Sequence, residues 1–307
     1  MSGTVVVLGV FNADTTYRAT RLPRMGETIH GTAFALGPGG KGANQAVAAA
    51  KAGGETHFIT RLGADTFADT AHAMWAEAGV IPAATIDADQ NTGAALIFVE
   101  DGSGDNCIVI APGAASKMDE SDVNSRVELI EKADVFVTQL EQPLAAARRG
   151  LEVARAGGTI TVFNPAPAMD LSDAVLALCD YITPNETEAE TLTGIAVSDL
   201  ATAEAAGRAL IARGCGAAVM TLGGDGALLV DAHGVTHVPA MAVGDVVETT
   251  GAGDAFNGGF AVGLAEGLVA RDAARFASAV AGISVTRPGA APSMPTRTEI
   301  DAALRDA

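Results

Sequence analysis

Six short runs of this chain are mostly apolar and show no alternation, and that feature narrows the fold more than any other. They fall at 5–10, 57–62, 135–140, 159–163, 181–183 and 217–222. A strand with one wet face alternates apolar and polar residues, whereas a strand covered on both faces does not. Between the runs lie segments of helical spacing at 42–51, 66–78, 144–155 and 200–213. Strand and helix in alternation predict an α/β fold, a three-layer α/β/α sandwich with a mainly parallel central sheet. Two stretches, 15–35 and 92–111, break the rhythm and have no helical period. In the second, 94–99 and 106–110 flank Asp101, Gly102, Ser103 and Gly104, which reads as a hairpin. Segments at about 12–36 and 92–112 are therefore predicted to form a small β-sheet lid or oligomer contact. It would be inserted in a single domain over 1–307, a size the chain length allows.

Composition excludes several function classes. With 19 Lys and Arg against 37 Asp and Glu, the net charge is −18, which repels nucleic acid and anionic lipid. Aromatic residues make up only 4%, too few for a base-stacking platform. If the ligand is a polyphosphate, positive potential has to come from backbone N–H groups, a lysine and a metal ion. Cys107, Cys179 and Cys215 lie far apart without a CxxC pair, as expected of reduced thiols in a cytoplasmic protein. The histidines lack zinc-site spacing. Residues 1–4 carry no basic leader, and no apolar run is long enough to span a bilayer.

The segment TTGAGDAF at 249–256 carries the sharpest chemistry. Small residues lead into a helix that would present Phe256, Phe260, Leu264 and Leu268 on one face. The amides of Gly251, Ala252 and Gly253 at its N-terminus would cradle an anion. Asp254 would stand beside that anion, an unfavourable place unless it accepts the proton of a hydroxyl attacking phosphorus. The plainer reading is an N-cap aspartate after a glycine turn. Gly258, Gly259 and Gly263 lie inside the same helix, each costing roughly 1 kcal/mol against Ala. They point to something packed very close.

The segment GPGGKGANQ at 37–45 matches GxGxxG but follows the irregular β segment, not the first strand, so a dinucleotide site is excluded. It is not a P-loop, because Ala35 stands five before Gly40 and Gly42 follows Lys41. It reads as a glycine turn opening a helix, bringing its backbone, Lys41 and Asn44 to a polyhydroxylated ligand. Asn12 and Asp14, just after the first strand, suit vicinal hydroxyls or a simple turn. Glu141, past the 135–140 run, is a ligand at a strand's carboxyl end or a surface glutamate. Asn185 and Glu188 form a literal capping-box pattern, or face a metal-bound phosphate, and the sequence does not separate the two. Thr221, Gly223 and Gly226 make a hairpin turn or a glycine floor under a nucleotide.

Taken together, NAD at 12–14, GGKGANQA at 39–46, TGAALIFV at 92–99, QLE at 139–141, NPAPA at 164–168, TPNETE at 183–188, TLG at 221–223 and GAGD at 251–254 resemble the ribokinase family, the PfkB-type sugar and nucleoside kinases. The resemblance runs along essentially the whole chain. The NAD, QLE and NPAP segments look like its ribose-phosphorylating members more than like fructokinases or adenosine kinases. The resemblance implies an α/β/α sandwich whose β lid often forms a homodimer contact. It implies Asp254 as catalytic base, with Gly251, Ala252 and Gly253 as anion hole. Asn12, Asp14, Gly40, Lys41, Gly42, Asn44 and Glu141, with Asp254, would hold the sugar. Asn185, Glu188, Thr221, Gly223, Gly226, Gly253 and Ser278 would serve ATP and Mg²⁺. A monovalent cation, K⁺, would sit at Glu248, Thr250, Ser284, Arg287, Gly289 and Ser293, mostly on backbone oxygens. Glu248 stands where the family usually has Asp, and Ser278 where Asn or His is common. The expected reaction is ATP plus D-ribose to ribose 5-phosphate plus ADP. Alternatives are 2-deoxyribose, another pentose, a ketohexose or a nucleoside as acceptor, or a sugar-binding regulator without catalysis.

Overall fold

The computed structural model describes residues 3–306; residues 1 and 2, part of the segment read above as free of a leader, and residue 307 lie outside it. In chain order the strands are β1 Thr4–Leu8, β2 Asn12–Ala19, β3 Ala33–Gly39, β4 Glu55–Ile59, β5 Arg61–Gly63, β6 Ile81–Pro82, β7 Thr85–Asp87, β8 Ala94–Glu100, β9 Asn106–Ala111, β10 Val135–Thr138, β11 Ile160–Phe163, β12 Tyr181–Ile182, β13 Ala217–Thr221, β14 Ala227–Asp231 and β15 Gly234–Val238. The helices are α1 Lys41–Lys51, α2 Thr66–Ala78, α3 Glu120–Asn124, α4 Val127–Glu131, α5 Leu144–Gly157, α6 Asp173–Leu176, α7 Glu186–Thr193, α8 Leu200–Ala212, α9 Ala252–Ala265, α10 Ala270–Ser284 and α11 Arg297–Asp306.

Nine strands form the central sheet in the order β15-β14-β13-β12-β11-β10-β1-β4-β6. Pairing is parallel from β6 to β13 and antiparallel across β13, β14 and β15. The unbroken apolar runs have a direct cause. Val5, Val7, Val135 and Val137 face a core under α1, α2, α9 and α10. Val6, Leu8 and Phe136 face the opposite core under α5, α7 and α8. Every side chain of such a strand is buried, whichever way it points.

Two elements differ from the sequence expectation. The run at 57–62 is not one strand: β4 ends at Ile59, and β5 leaves to pair with β7. Arg61 explains the break. Its guanidinium reaches Asp87 and Asp122, each 3.6 Å away, and the Lys117 carbonyl, none of which lies in the apolar core. Leu268 is not on the Phe256 helix face. α9 stops at Ala265, and Gly267 at φ +83° turns the chain away.

The segments expected to form a lid make a separate four-stranded sheet, ordered β3-β2-β8-β9, with β8 and β9 as the foreseen hairpin. β2 and β8 run parallel, with Ala13 opposite Ala94. Its strand register puts Tyr17, Phe34, Leu36, Leu96 and Val109 on one face, all well exposed, and Asp14 on the other.

The three internal glycines of α9 meet neighbouring helices. A Cβ on Gly258 would fall 2.6 Å from the Ala48 Cβ of α1. On Gly259 it would meet Val280 at 2.7 Å, and on Gly263 the Ala273 Cα at 2.8 Å, both on α10. α9 is therefore held between two helices at backbone contact, with its N-terminus at the carboxyl ends of the parallel strands.

Candidate active site

Asp254 sits on the first turn of α9, with 7% of its surface exposed. Asn44 Nδ2 donates to its Oδ2 at 3.0 Å, and Gln45 Nε2 donates to its Oδ1 at 3.0 Å. Burial pushes its pKa up; the Lys41 charge and these two amide donors pull it back.

The glycine turn before α1 brings those amides there. Gly40 has φ +92°, and a side chain on it would collide with the Val10 carbonyl. A Cβ on Gly42 would fall 2.6 Å from the Gly9 Cα. The start of α1 thus lies against the loop after β1, and the Ala43 amide donates to the Val10 carbonyl at 3.1 Å. From the other side, Glu141 Oε2 accepts the Lys41 backbone N–H at 2.7 Å. Burial pushes Glu141 up to about 7, against the pull of the Lys41 amide and charge, while Asp254 and Asp14 push it further. Burial alone pushes Asp14 up to about 6. Asn12 Oδ1 and Asn44 Oδ1 are buried without a hydrogen-bond partner. A side chain on Gly93 would strike Asn12 Oδ1, and the Ala13 amide donates to the Gly93 carbonyl, so Asn12, at the start of β2, packs against the chain entering β8. The chamber offers carboxylates and orphaned amide oxygens around one lysine. That set is rich in unpaired acceptors, for which a polyol supplies hydroxyl donors.

On the far side of the α9 N-terminus lies a cleft of about 500 Å³. Asn185, Thr221, Gly223, Gly226, Gly253 and Ser278, the residues grouped on the nucleotide side from the sequence, all line it. Its volume suits a nucleotide. Glu188 stands behind that wall. Its Oε2 accepts the Asn185 N–H at 2.9 Å, and its Oε1 accepts Asn185 Nδ2 at 3.2 Å. The capping box is therefore formed, and it fixes Asn185 toward the cleft. Burial raises the Glu188 pKa; the Asn185 N–H and the Lys41 charge lower it.

The anion cradle needs one correction. The Ala252 N–H is not free, because it donates to the Thr249 carbonyl at 3.1 Å. Gly251, at φ +79°, is the third residue of that tight turn, and a turn closed this way consumes the fourth residue's amide. The amides of Gly251, Gly253 and Asp254 have no acceptor among the described residues and are the ones left open to an anion.

The segments expected to hold a monovalent cation come together behind the cradle. A Cβ on Gly251 would fall 2.7 Å from that of Ala290. Glu248 Oε2 accepts the Gly289 N–H at 2.8 Å, so the extra methylene is used to cross between the loops. Ser284 and Ser293 are buried, and their hydroxyls donate to the Ala281 and Ala290 carbonyls. The Arg287 side chain turns away to Glu299, leaving only its backbone for an ion. Thr250 is exposed on the same turn. No group of three or more His, Cys, Asp or Glu able to hold a metal occurs among the described residues. The oxygens these loops offer are mainly carbonyls, a set that fits a weakly hydrated monovalent ion.

Sequence reasoning gave no role to Gln45, Gln139, Asn164, Thr183 or Asn257, yet all are buried around Asp254. The signal was present for three of them. Gln139, Asn164 and Thr183 are each the first polar residue beyond a strand of the central sheet.

An open parallel sheet with a carboxylate set between a polyol chamber and a nucleotide-sized cleft defines a phosphotransferase acting on a small polyhydroxylated molecule. More narrowly, the chain belongs to the pfkB family of carbohydrate kinases, whose family model matches residues 2–297. It is 40% identical over 300 residues to the ribokinase of Haemophilus influenzae, with 97% of each chain covered. It is 35% identical over 300 residues to the deoxyribokinase of Salmonella typhi, with 95% of each covered. The structure of Arabidopsis thaliana ribokinase complexed with ribose and ATP matches it with a TM-score of 0.94 at 29% identity, over 99% of both chains.

Proposed function

We propose that this carbohydrate kinase transfers the γ-phosphoryl group of ATP to the 5-hydroxyl of D-ribose, giving ribose 5-phosphate and ADP. The placement of Asp254 carries the reading: its carboxylate has one amide donor on each oxygen, and it directly follows Gly253, which lines the nucleotide-sized cleft. Asp254 takes the proton of the attacking hydroxyl. Negative charge developing on the transferred group meets the amides of Gly251, Gly253 and Asp254 and the positive end of α9. Asn12, Asp14, Asn44 and Glu141 accept the sugar's other hydroxyls, and Lys41 offsets their charge. When bound with ATP, magnesium neutralises phosphate charge; Asn185 and Glu188 are the residues on that side that would hold it through water. The loops carrying Glu248, Thr250, Ser284, Arg287, Gly289 and Ser293 would hold potassium and so add positive potential behind the cradle. The small sheet is the lid that excludes water. Its exposed apolar face, with Tyr17, Phe34 and Leu36, suits a second copy of the chain in a homodimer. No helix among the described residues is long and apolar enough to cross a membrane. The 35% identity to a deoxyribokinase keeps 2-deoxyribose as the second reading.

An ADP-release assay across ribose, 2-deoxyribose, fructose and adenosine tests this directly. Ribose is expected to give the highest kcat/KM, and a higher value for any other acceptor replaces it. Potassium is expected to raise the rate over a bulky organic cation; equal rates remove the ion site.

The raised carboxyls add a pH dependence. With Asp14 at about 6 and Glu141 at about 7, the folded chain holds more protons than the unfolded one above the ordinary values of 3.8 and 4.5. Their contribution to stability is thus complete below those ordinary values and falls as pH rises through about 7. Ribose hydroxyls donate to the ionised forms, so the rise in Tm on adding ribose should grow over the same window. Thermal melts with and without ribose check it, and a ribose shift that shrinks with rising pH would contradict it.

A further inference from the structure

A chain of uncharged side chains runs beneath Asp254, and the phosphotransfer reading leaves it unused. Gln139 Nε2 donates to Gln45 Oε1 at 2.5 Å. Gln45 Nε2 donates to Asp254 Oδ1 at 3.0 Å and to Asn164 Oδ1 at 3.1 Å. Asn164 Nδ2 donates to the Thr183 carbonyl at 3.0 Å. The Thr183 hydroxyl donates to Asn257 Oδ1 at 2.6 Å, and Asn257 Nδ2 donates to the Gly253 carbonyl at 2.8 Å. Gln139, Asn164 and Thr183 directly follow β10, β11 and β12, which are neighbours in the sheet. The sheet thus offers a crest of polar groups to the N-terminus of α9.

The direction of every bond in this chain is fixed from its ends. A carboxylate and a peptide carbonyl only accept. Gln45 must therefore turn its NH₂ toward Asp254 and its carbonyl toward Gln139. Flipping any one amide would set like against like, donor against donor or acceptor against acceptor, in a buried place.

We propose that Gln45 is a positioning residue: it holds the Asp254 carboxylate ionised and aimed at the acceptor hydroxyl, while Gln139 and Asn164 hold Gln45 in its one useful orientation. This rests on Asp254 being the base. Asn44 takes one carboxylate oxygen and Gln45 the other, so the group does not rotate, and the substrate proton meets the lone pairs left over. The charged groups facing Asp254 are Lys41 of α1, Glu141 after β10 and Glu188 of α7. One cation against two carboxylates leaves the two neutral amide donors as the other groups that favour the charged form of Asp254 against its burial.

The test is the pH profile of ribose-dependent ADP release for wild type, Asp254→Asn, Gln45→Met and Gln139→Met. Gln45→Met keeps the side chain's length and removes both ends of its amide. Its acid limb of kcat is expected to move up by about one pH unit, since a donor to the charged form is lost. At neutral pH kcat should fall by about tenfold, with ribose KM within about threefold of wild type. Gln139→Met should shift the limb in the same direction by less, because Gln45 stays but loses its anchor. A folded Gln45→Met enzyme with wild-type kcat and an unmoved limb overturns the proposal. If that variant does not fold, an unmoved limb in Gln139→Met overturns it equally. Near-normal turnover by Asp254→Asn is a separate result, and it sinks the base assignment instead.

Discussion

Asp254→Asn is expected to fold, to bind ribose and ATP, and to turn over about 10³-fold more slowly than the wild type, the scale of a lost general base. The side chains are almost the same shape, so packing at a site 7% exposed is kept. Stability changes little because two effects oppose. Removing a buried charge relieves the desolvation that raises the Asp254 pKa. Against that, the new NH₂ has to face either Asn44 Nδ2 or Gln45 Nε2, both of which donate to the carboxylate now. A buried donor facing a donor costs about 1–3 kcal/mol. What does not cancel is the chemistry, since a neutral amide cannot take the hydroxyl proton at any working pH. Calorimetry for both ligands and steady-state ADP release settle the matter together. Intact binding with turnover near wild type would remove Asp254 from the base role, whereas lost binding would show that the carboxylate serves the ground state instead.

How far the sequence revealed this site depended on whether a residue's chemistry showed in its own neighbourhood. The strands at β1, β10 and β11 were legible because burial on both faces erases alternation, and 5–8 and 135–138 carry that mark in every side chain. Asp254 was legible from the glycines before it and inside its helix, since glycine in a helix has to be explained by a close neighbour. The Ala252 amide was not. Whether an N–H is free depends on a turn closed by Thr249, and neither residue type reports that. Glu188 was ambiguous for a sound reason. A capping box and a residue near the phosphates need the same spacing, and here the box is what turns Asn185 to the cleft. Gln45 and Asn257 were missed because their partners lie far along the chain: Gln45 is 119 positions from Asn164 and 209 from Asp254, and Asn257 is 74 from Thr183. A buried amide's role is defined across elements, and single-chain periodicity does not record it.

Glycine 258 yields the second large effect, and its sign separates local propensity from packing. Gly258→Ala in a helix interior would gain about 1 kcal/mol from propensity alone. Here the added methyl meets Ala48 Cβ at 2.6 Å, the Gln45 carbonyl oxygen at 2.7 Å and the Ala49 amide nitrogen at 2.9 Å. Two of those three atoms are backbone, so no rotamer change relieves the clash and α1 has to move. Overpacking of this kind typically costs about 1–3 kcal/mol, so the net change should be a loss. Gly263→Ala makes a comparable clash, at 2.8 Å from the Ala273 Cα, but against α10. Both variants are expected to melt at lower temperature. They should differ in catalysis, because only the Gly258 methyl presses on Gln45, whose side chain holds Asp254. Per folded molecule, Gly263→Ala should keep kcat within about twofold of wild type, while Gly258→Ala should lose at least about tenfold. Equal kcat values for the two, at equal loss of stability, would mean that the α1–α9 contact only holds the fold together and does not set the position of the reacting carboxylate.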